Sequence, residues 1–337
     1  MKADNLQSRP PHLQVDYVAD TQPHHWLQRD DVLAAFGFGA DAPHLDDPRW
    51  LRVPLAPYGR APLEIWRSHA PVTYGRDGDI QWACDNELLF GAIEIAEHND
   101  DIRAAAEHAY ARMSRHVAAQ GFPHLLRIWN YLDGITIGEG DAERYREFCV
   151  GRARGLGDFR SEWLPAATAI GRSDGERILQ VYWLAAKTPG QPVENPRQVS
   201  AYHYPRQYGP QPPSFARAML PPTIDQTPLL LSGTAAVVGH ASQHEGELLK
   251  QIDETFNNFD ALLAAARLRQ PALPARFGKS TRLKVYVRDA ADLPRVERAL
   301  AERLGTEVPY MLVHAAICRR ELAIEIDGVH GHTAQTP

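Results

Sequence analysis

The chain has 337 residues, 44% hydrophobic and 23% charged, with a net charge of -6. That is an ordinary globular composition, long enough for one large domain or two of usual size, and its acidic balance argues against a nucleic-acid partner, which wants a basic surface. No apolar run approaches the ~20 residues that span a bilayer, residues 1–26 lack the apolar stretch of a secretory signal, and the three cysteines lie too far apart for a disulfide framework or a spaced zinc site; a cytoplasmic enzyme is expected.

Residues 1–60 are rich in Pro, Asp and His and weakly periodic. They read as an irregular N-terminal wrap of extended chain and loops, with a short helix at 29–36. A hairpin follows at 81–86 and 88–94, then a helix at 101–120 closed by Gly121, a strand at 125–131, a helix at 142–156, and strands at 168–170 and 178–186. Two proline-rich stretches, 187–196 and 205–222, cannot continue a helix or a central strand. The first is a natural boundary. Beyond it, the apolar run at 229 breaks at Ser232, Gly233 and Thr234. A helix at 245–269 carries Leu248, Leu249, Ile252, Phe256, Phe259, Leu262 and Leu263 at helical spacing. A strand at 283–287, a helix at 293–304 closed by Gly305, and strands at 310–317 and 322–326 complete the chain. Each half thus reads as strands, helix, strand, helix, strands, an internal duplication. The expected organisation is α+β: a wrap at 1–60, a first half at 61–190 and a second at 191–330.

Glu325 is the residue of most chemical interest, an acid between Ile324 and Ile326 on the last strand. Strand alternation alone points it outward into solvent. Desolvated, it would be a proton donor, because burial raises a carboxyl pKa towards working pH. His240, Gln243 and His244 superficially suggest a metal cluster but sit where a helix should begin. Gly134, Gly138 and Gly140 do not have dinucleotide-loop spacing. Trp66, Trp82, Trp129, Trp163 and Trp183 are scattered and read as core.

The run 232–233 followed by KQIDETFNNFDALLAA, with the closing run LAIEID, resembles the RidA/YjgF family of small α+β domains over roughly 198–328. RidA-type imine deaminases carry a carboxylate-binding arginine before the penultimate strand, where this chain has Pro309, Tyr310 and Met311, so that activity is not expected. A wider set of runs, RIWNYLDGI, ERYREFCVGR, SAYHYPRQYGPQPPSFARA, SGTAAVVGHASQHEGE and HAAICRRELAIEIDG, resembles the chorismatases, which remove pyruvate from chorismate on a RidA-like fold. The resemblance implies two RidA/YjgF-like halves, no cofactor, no metal, and a monomer or homotrimer. It implies Glu325 as the acid. The aromatising branch is associated with a cysteine seven residues before that acid and a glycine in the strand break. Cys318 and Gly233 match both, which implies 3-hydroxybenzoate, with 4-hydroxybenzoate as an accompanying product. The alternatives are a hydrolytic chorismatase giving a dihydroxycyclohexadiene carboxylate, and a RidA-like metabolite-binding protein without turnover.

Chorismate carries two carboxylates, and arginine's planar fork binds a carboxylate through two hydrogen bonds. The second proline-rich loop offers Arg206 and Arg217 among Tyr202, Tyr204 and Tyr208, and Arg152 stands in the CVGR run. Taken singly, each of these arginines reads equally well as half of a surface ion pair, but two of them in one proline-stiffened loop with Tyr202 and Tyr208 favour substrate binding, and Arg152 is a third candidate. His240 is expected to touch substrate or cap the turn. Cys318 is expected to shape a water-excluding pocket beside Gly233, the other reading being a buried structural thiol.

Overall fold

The computed structural model describes residues 12–331 apart from 20–21, 158–159, 173 and 223–226. Its first sixty residues correct the sequence reading. After a short helix α1 (Pro23–Leu27), residues 32–38 form a strand rather than the expected helix. All seven residues of this VLAAFGF run are buried. An apolar run buried on both faces shows neither a two-residue nor a 3.6-residue period, so its type is ambiguous in sequence. The strand belongs to a four-stranded sheet ordered Leu13–Val18, Leu63–Ser68, Val32–Phe38, Trp50–Val53. The sheet runs across residue 60, because Leu13 pairs with Ser68 and Val18 with Leu63.

The first half follows the predicted order. Strands Ile80–Cys84 and Leu88–Ala96 form the hairpin, then come helix α2 (Ile102–Ala119), strand His124–Asp133, helix α3 (Arg144–Leu156), and strands Ala166–Arg172 and Ile178–Ala186. The Asp101 carboxylate caps α2, accepting from Ala104 N at 2.9 Å. Gly151 of α3 lies so close to the Arg103 carbonyl of α2 that no side chain fits there. The second half repeats the order: strands Ala218–Leu220 and Leu229–Thr234, helix α4 (Leu248–Arg267), strand Thr281–Val287, helix α5 (Leu293–Leu304), and strands Tyr310–His314 and Ile324–His330. Spatial order repeats as well. In both sheets the closing strand lies between the second and third strands of its half, and the third and fourth strands run parallel to each other.

Helices α2 and α3 cover one face of the first sheet, and α4 and α5 cover one face of the second. The other two faces meet in a shared core that includes Trp66, Trp129, Tyr131, Tyr182 and Tyr286. The predicted strand at 310–317 is split at Ala315. Tyr310–His314 stays in the second sheet, whereas Ala316–Ile317 crosses over to pair with Ala166–Arg172 of the first. Burial of Trp66, Trp129 and Trp183 agrees with a core role, but Trp163 is 53% exposed. No helix among the described residues is long and apolar enough to cross a membrane.

Candidate active site

The site begins with an interrupted ladder. Leu229–Thr234 pairs with Ile324–His330, but the register passes from Leu231 opposite Gly328 to Thr234 opposite Ile326, leaving one extra residue on the first strand. This is a β-bulge at Ser232 and Gly233, and bulges re-aim side chains near sites. Both residues are tied to the first half or its approach. The Ser232 hydroxyl donates to the Ala216 carbonyl at 2.6 Å and accepts from Ala167 N at 2.9 Å. Gly233 N donates to Thr168 Oγ1 at 3.0 Å. A Cβ at Gly233 would collide with Glu325 Oε1, so glycine makes room for the acid.

Glu325 and Asp327 are two residues apart on one strand and so share a face. Asp327 Oδ2 accepts four hydrogen bonds: from Arg127 Nη2 at 3.0 Å, Trp129 Nε1 at 3.0 Å, Thr168 Oγ1 at 2.7 Å and Tyr286 OH at 2.9 Å. Glu325 is 5% exposed, and the Cys318 thiol lies 3.9 Å from its Oε2. Burial, then the neighbouring Asp327 carboxylate, pushes the Glu325 pKa up to about 8 against the opposing pull of Arg127, Arg217 and Arg319. At neutral pH the group therefore holds its proton. Burial, together with the Glu325 charge, also pushes the Cys318 thiol up, so it is no thiolate nucleophile.

In front of Glu325 lies an inner cavity of about 60 Å³, lined by Arg152, Thr168, Tyr204, Arg217 and Arg319 among others. An outer cavity of about 290 Å³ continues from it, sharing Tyr145, Tyr204, Cys318 and Arg319. Each arginine is held in place. Arg152, on α3, donates to the Ser214 carbonyl at 2.8 Å and lies over the Tyr110 ring. Arg217 donates to the Val199 carbonyl at 2.9 Å and to Tyr204 OH at 2.7 Å. Arg319 donates to the His240 carbonyl at 2.8 Å and packs 4.2 Å from the Tyr208 ring centroid. Nε of Arg152 and of Arg217 is buried and has no hydrogen-bond partner among the described residues. Three fixed cations around one protonated acid suit a small dianion.

Of the residues singled out in the sequence, Glu325, Cys318, Gly233, Arg152 and Arg217 line the inner cavity, and Tyr208 the outer one. Three others lie apart from both. Arg206 is 65% exposed and forms a two-point pair with Asp141, at 2.8 and 2.5 Å. The turn Arg206–Tyr208 sends Tyr208 inward and Arg206 to solvent. Tyr202 packs against the His203 ring. His240 stands behind the wall, 3.2 Å from Tyr208 OH, and contributes its carbonyl to Arg319. The GHASQHEGE run does not start a helix. Val237–Val238 and Ala241–Ser242 pair as a small hairpin about Gly239, whose φ is +59°, and α4 begins at Leu248. Sequence reasoning missed Arg319, Thr168 and Asp327. Asp327 was legible as the next same-face position after Glu325, and Arg319 as the neighbour of Cys318. Thr168 carried no signal.

Comparison with known proteins agrees with this geometry. Residues 64–185 match the family model described as chorismatase FkbO/Hyg5-like, N-terminal. A protein named chorismatase from Streptomyces hygroscopicus is 36% identical over 271 residues, covering 79% of this chain and 78% of the relative. A protein named 3-hydroxybenzoate synthase from the same species is 33% identical over 285 residues, covering 82% and 83%. The crystal structure of a chorismatase superposes with a TM-score of 0.81 at 32% identity, over 95% of this chain and 98% of the other. Sequence identity above 30% along most of the chain, and one shared fold from end to end, together mean that the chain belongs to the chorismatase family.

Proposed function

We propose that this enzyme converts chorismate into 3-hydroxybenzoate and pyruvate, with Glu325 as the proton donor. The observation that carries the reading is a buried carboxyl, its pKa raised by that burial, facing a cavity walled by Arg152, Arg217 and Arg319. Two of these guanidiniums take the two substrate carboxylates, and the third restrains the ring side of the pocket. Glu325 delivers its proton to the terminal methylene carbon of the enolpyruvyl ether, which places positive charge on the ether carbon. The ring hydroxyl then attacks the adjacent ring carbon as the carbon–oxygen bond to the leaving pyruvate breaks, and it returns its proton to Glu325. The resulting epoxide opens, and loss of a ring proton gives the phenol. No water is consumed, so the two products together are isomeric with chorismate.

Hydrolysis of the same ether adds one water and leaves a diene diol. Water exclusion therefore decides the product. The Cys318 thiol beside Glu325, and the absence of a side chain at Gly233, shape that part of the wall. The hydrolytic route remains the second reading, since one named relative carries the broader name chorismatase and another the name 3-hydroxybenzoate synthase. Every side chain invoked belongs to one chain, so the reading requires no second copy. It also treats 61–190 and 191–330 as two copies of one unit, of which the second carries the acid. The test is incubation with chorismate, with pyruvate measured enzymatically and ring products separated by chromatography. Pyruvate with 3-hydroxybenzoate, accompanied or not by 4-hydroxybenzoate, supports the reading. A non-aromatic diol as sole ring product replaces it with the hydrolytic one, and saturable binding without pyruvate sinks both.

A further inference from the structure

Away from the pocket, three side chains of metal-ligating type meet where the N-terminal sheet joins the first half. His12 immediately precedes the strand Leu13–Val18, whose first residue pairs with Ser68. His69 follows Ser68, and Asp85 stands in the turn between Ile80–Cys84 and Leu88–Ala96. One ligand atom from each of the three lies within 4.8 Å of the other two. None of these residues lines either active-site cavity.

The state of His12 distinguishes this cluster from a chance meeting of polar groups. The residue is 4% exposed, and its Nε2 is fully buried without a hydrogen-bond partner among the described residues. That nitrogen faces Asp85 Oδ2 at 3.6 Å. The separation is too long for a hydrogen bond. It is close to the roughly 3.3 Å that separates two ligands of a tetrahedral zinc ion with bonds of about 2.0–2.1 Å. A buried polar atom left unpaired is costly, and a shared cation would satisfy it. Asp85 is also held as a ligand should be. Its Oδ1 accepts from Glu87 N and Leu88 N, each at 2.7 Å, and the Ser68 hydroxyl donates to Oδ2. Such outer hydrogen bonds orient a ligating carboxylate. His69 is exposed and approaches from the solvent side, its ring centroid 4.2 Å from that of His12.

We propose that His12, His69 and Asp85 bind one Zn²⁺ ion, with water as fourth ligand, and so staple the N-terminal sheet to the first half. Two imidazoles and one carboxylate suit zinc, whereas magnesium and calcium prefer all-oxygen sites. Such a site acts on stability, since an ion that binds only the folded chain stabilises it in proportion to the logarithm of its concentration.

The test uses the full chain stripped with a chelator. Zn²⁺ is added in a calorimeter at pH 7.5, Co²⁺ is followed by its visible absorption, and Tm is recorded with Zn²⁺, Mg²⁺ or Ca²⁺. One equivalent of Zn²⁺ is expected, with a tetrahedral Co²⁺ spectrum and a Tm rise on the order of a few degrees at 100-fold excess over Kd. Mg²⁺ and Ca²⁺ should leave Tm unchanged. His69→Ala removes an exposed side chain, so folding is not at risk. It should weaken Zn²⁺ binding by more than the 10- to 100-fold that loss of an outer-shell partner costs. Asp85→Asn should do the same. Absence of Zn²⁺ binding by the wild-type chain overturns the proposal, leaving a plain His12–Asp85 pair. Binding that survives both substitutions overturns it as well, because the ion then sits elsewhere.

Discussion

The two halves share one topology, yet their closing ladders differ. In the first, Leu88–Ala96 pairs with Ile178–Ala186 without interruption through nine residue pairs. In the second, the equivalent ladder between Leu229–Thr234 and Ile324–His330 carries the bulge at Ser232 and Gly233. Each first-named strand has a glycine against which a side chain of its partner lies. At Gly91 that side chain is the buried indole of Trp183, and at Gly233 it is the carboxyl of Glu325. The continuous ladder builds core, and the interrupted one opens a cavity beside the bulge. One fold unit thus serves as scaffold or as site, according to one extra residue and the side chain lying over the glycine.

Replacing the acid is the most severe way to break this comparison. Glu325→Gln keeps shape and hydrogen-bond donation but cannot give a proton to carbon. Pyruvate release should fall on the order of 10²–10⁴-fold while calorimetric chorismate binding persists. A variant within tenfold of wild type would remove Glu325 from the mechanism. The wild-type rate should decline as pH rises through about 8, since only the protonated acid acts. Asp327→Asn removes the neighbouring charge that helps raise this pKa, so the declining limb should move to lower pH. A limb that stays in place would show that Asp327 only holds the halves together. The same shift bears on stability. The folded state binds more protons than the unfolded one between about pH 4.5 and 8, so stability falls as pH rises across that window. Glu325→Gln abolishes this loss and should be at least as resistant to urea as wild type at pH 8.

The paired glycines offer the next contrast. Gly233→Ala should displace the Glu325 carboxyl, and a misplacement near 1 Å costs roughly 10²-fold in rate. Gly91→Ala drives a methyl into the Trp183 ring and should cost about 1–3 kcal/mol of stability, read as lowered Tm, with kcat at 25 °C preserved. Equal effects on both observables would end the distinction between site and scaffold glycine.

Smaller changes separate the arginines. Loss of a charged hydrogen bond costs about 1.5–3 kcal/mol, so Arg152→Ala and Arg217→Ala should each lower kcat/KM roughly ten- to hundredfold. Arg206→Ala should remain near wild type, because its partner is Asp141 at the surface. A strong effect at Arg206 would mean that the loop rearranges around substrate. Only a small change in rate is expected for Cys318→Ala, which should shift the ring products from 3-hydroxybenzoate towards 4-hydroxybenzoate or the diol, with pyruvate release within several-fold of wild type. An unaltered product ratio would make Cys318 ordinary core.

Local patterns that repeat along the chain were legible without any structure. The helix at Leu293–Leu304 and the strand at Ile178–Ala186 fall on their predicted bounds, and the order of elements in both halves was readable, because helical and strand periodicities are properties of contiguous residues. Glu325, Cys318 and Gly233 were legible as candidates through motif resemblance. The strand Val32–Phe38 was not, since burial on both faces erases the alternation that marks a strand. Nor could sequence choose among arginines. Arg206 and Arg217 stand eleven positions apart in one loop, yet one faces Asp141 and solvent while the other enters the pocket beside Arg152. Thr168 donates to Asp327 across a separation of 159 residues, and Arg127 reaches it across 200. Which side chains meet at the seam is decided when two sheets close face to face. The raised pKa of Glu325 belongs to that closure too, because burial, its largest cause, arises only once the halves have packed, whereas Asp327 stands two positions along the same strand.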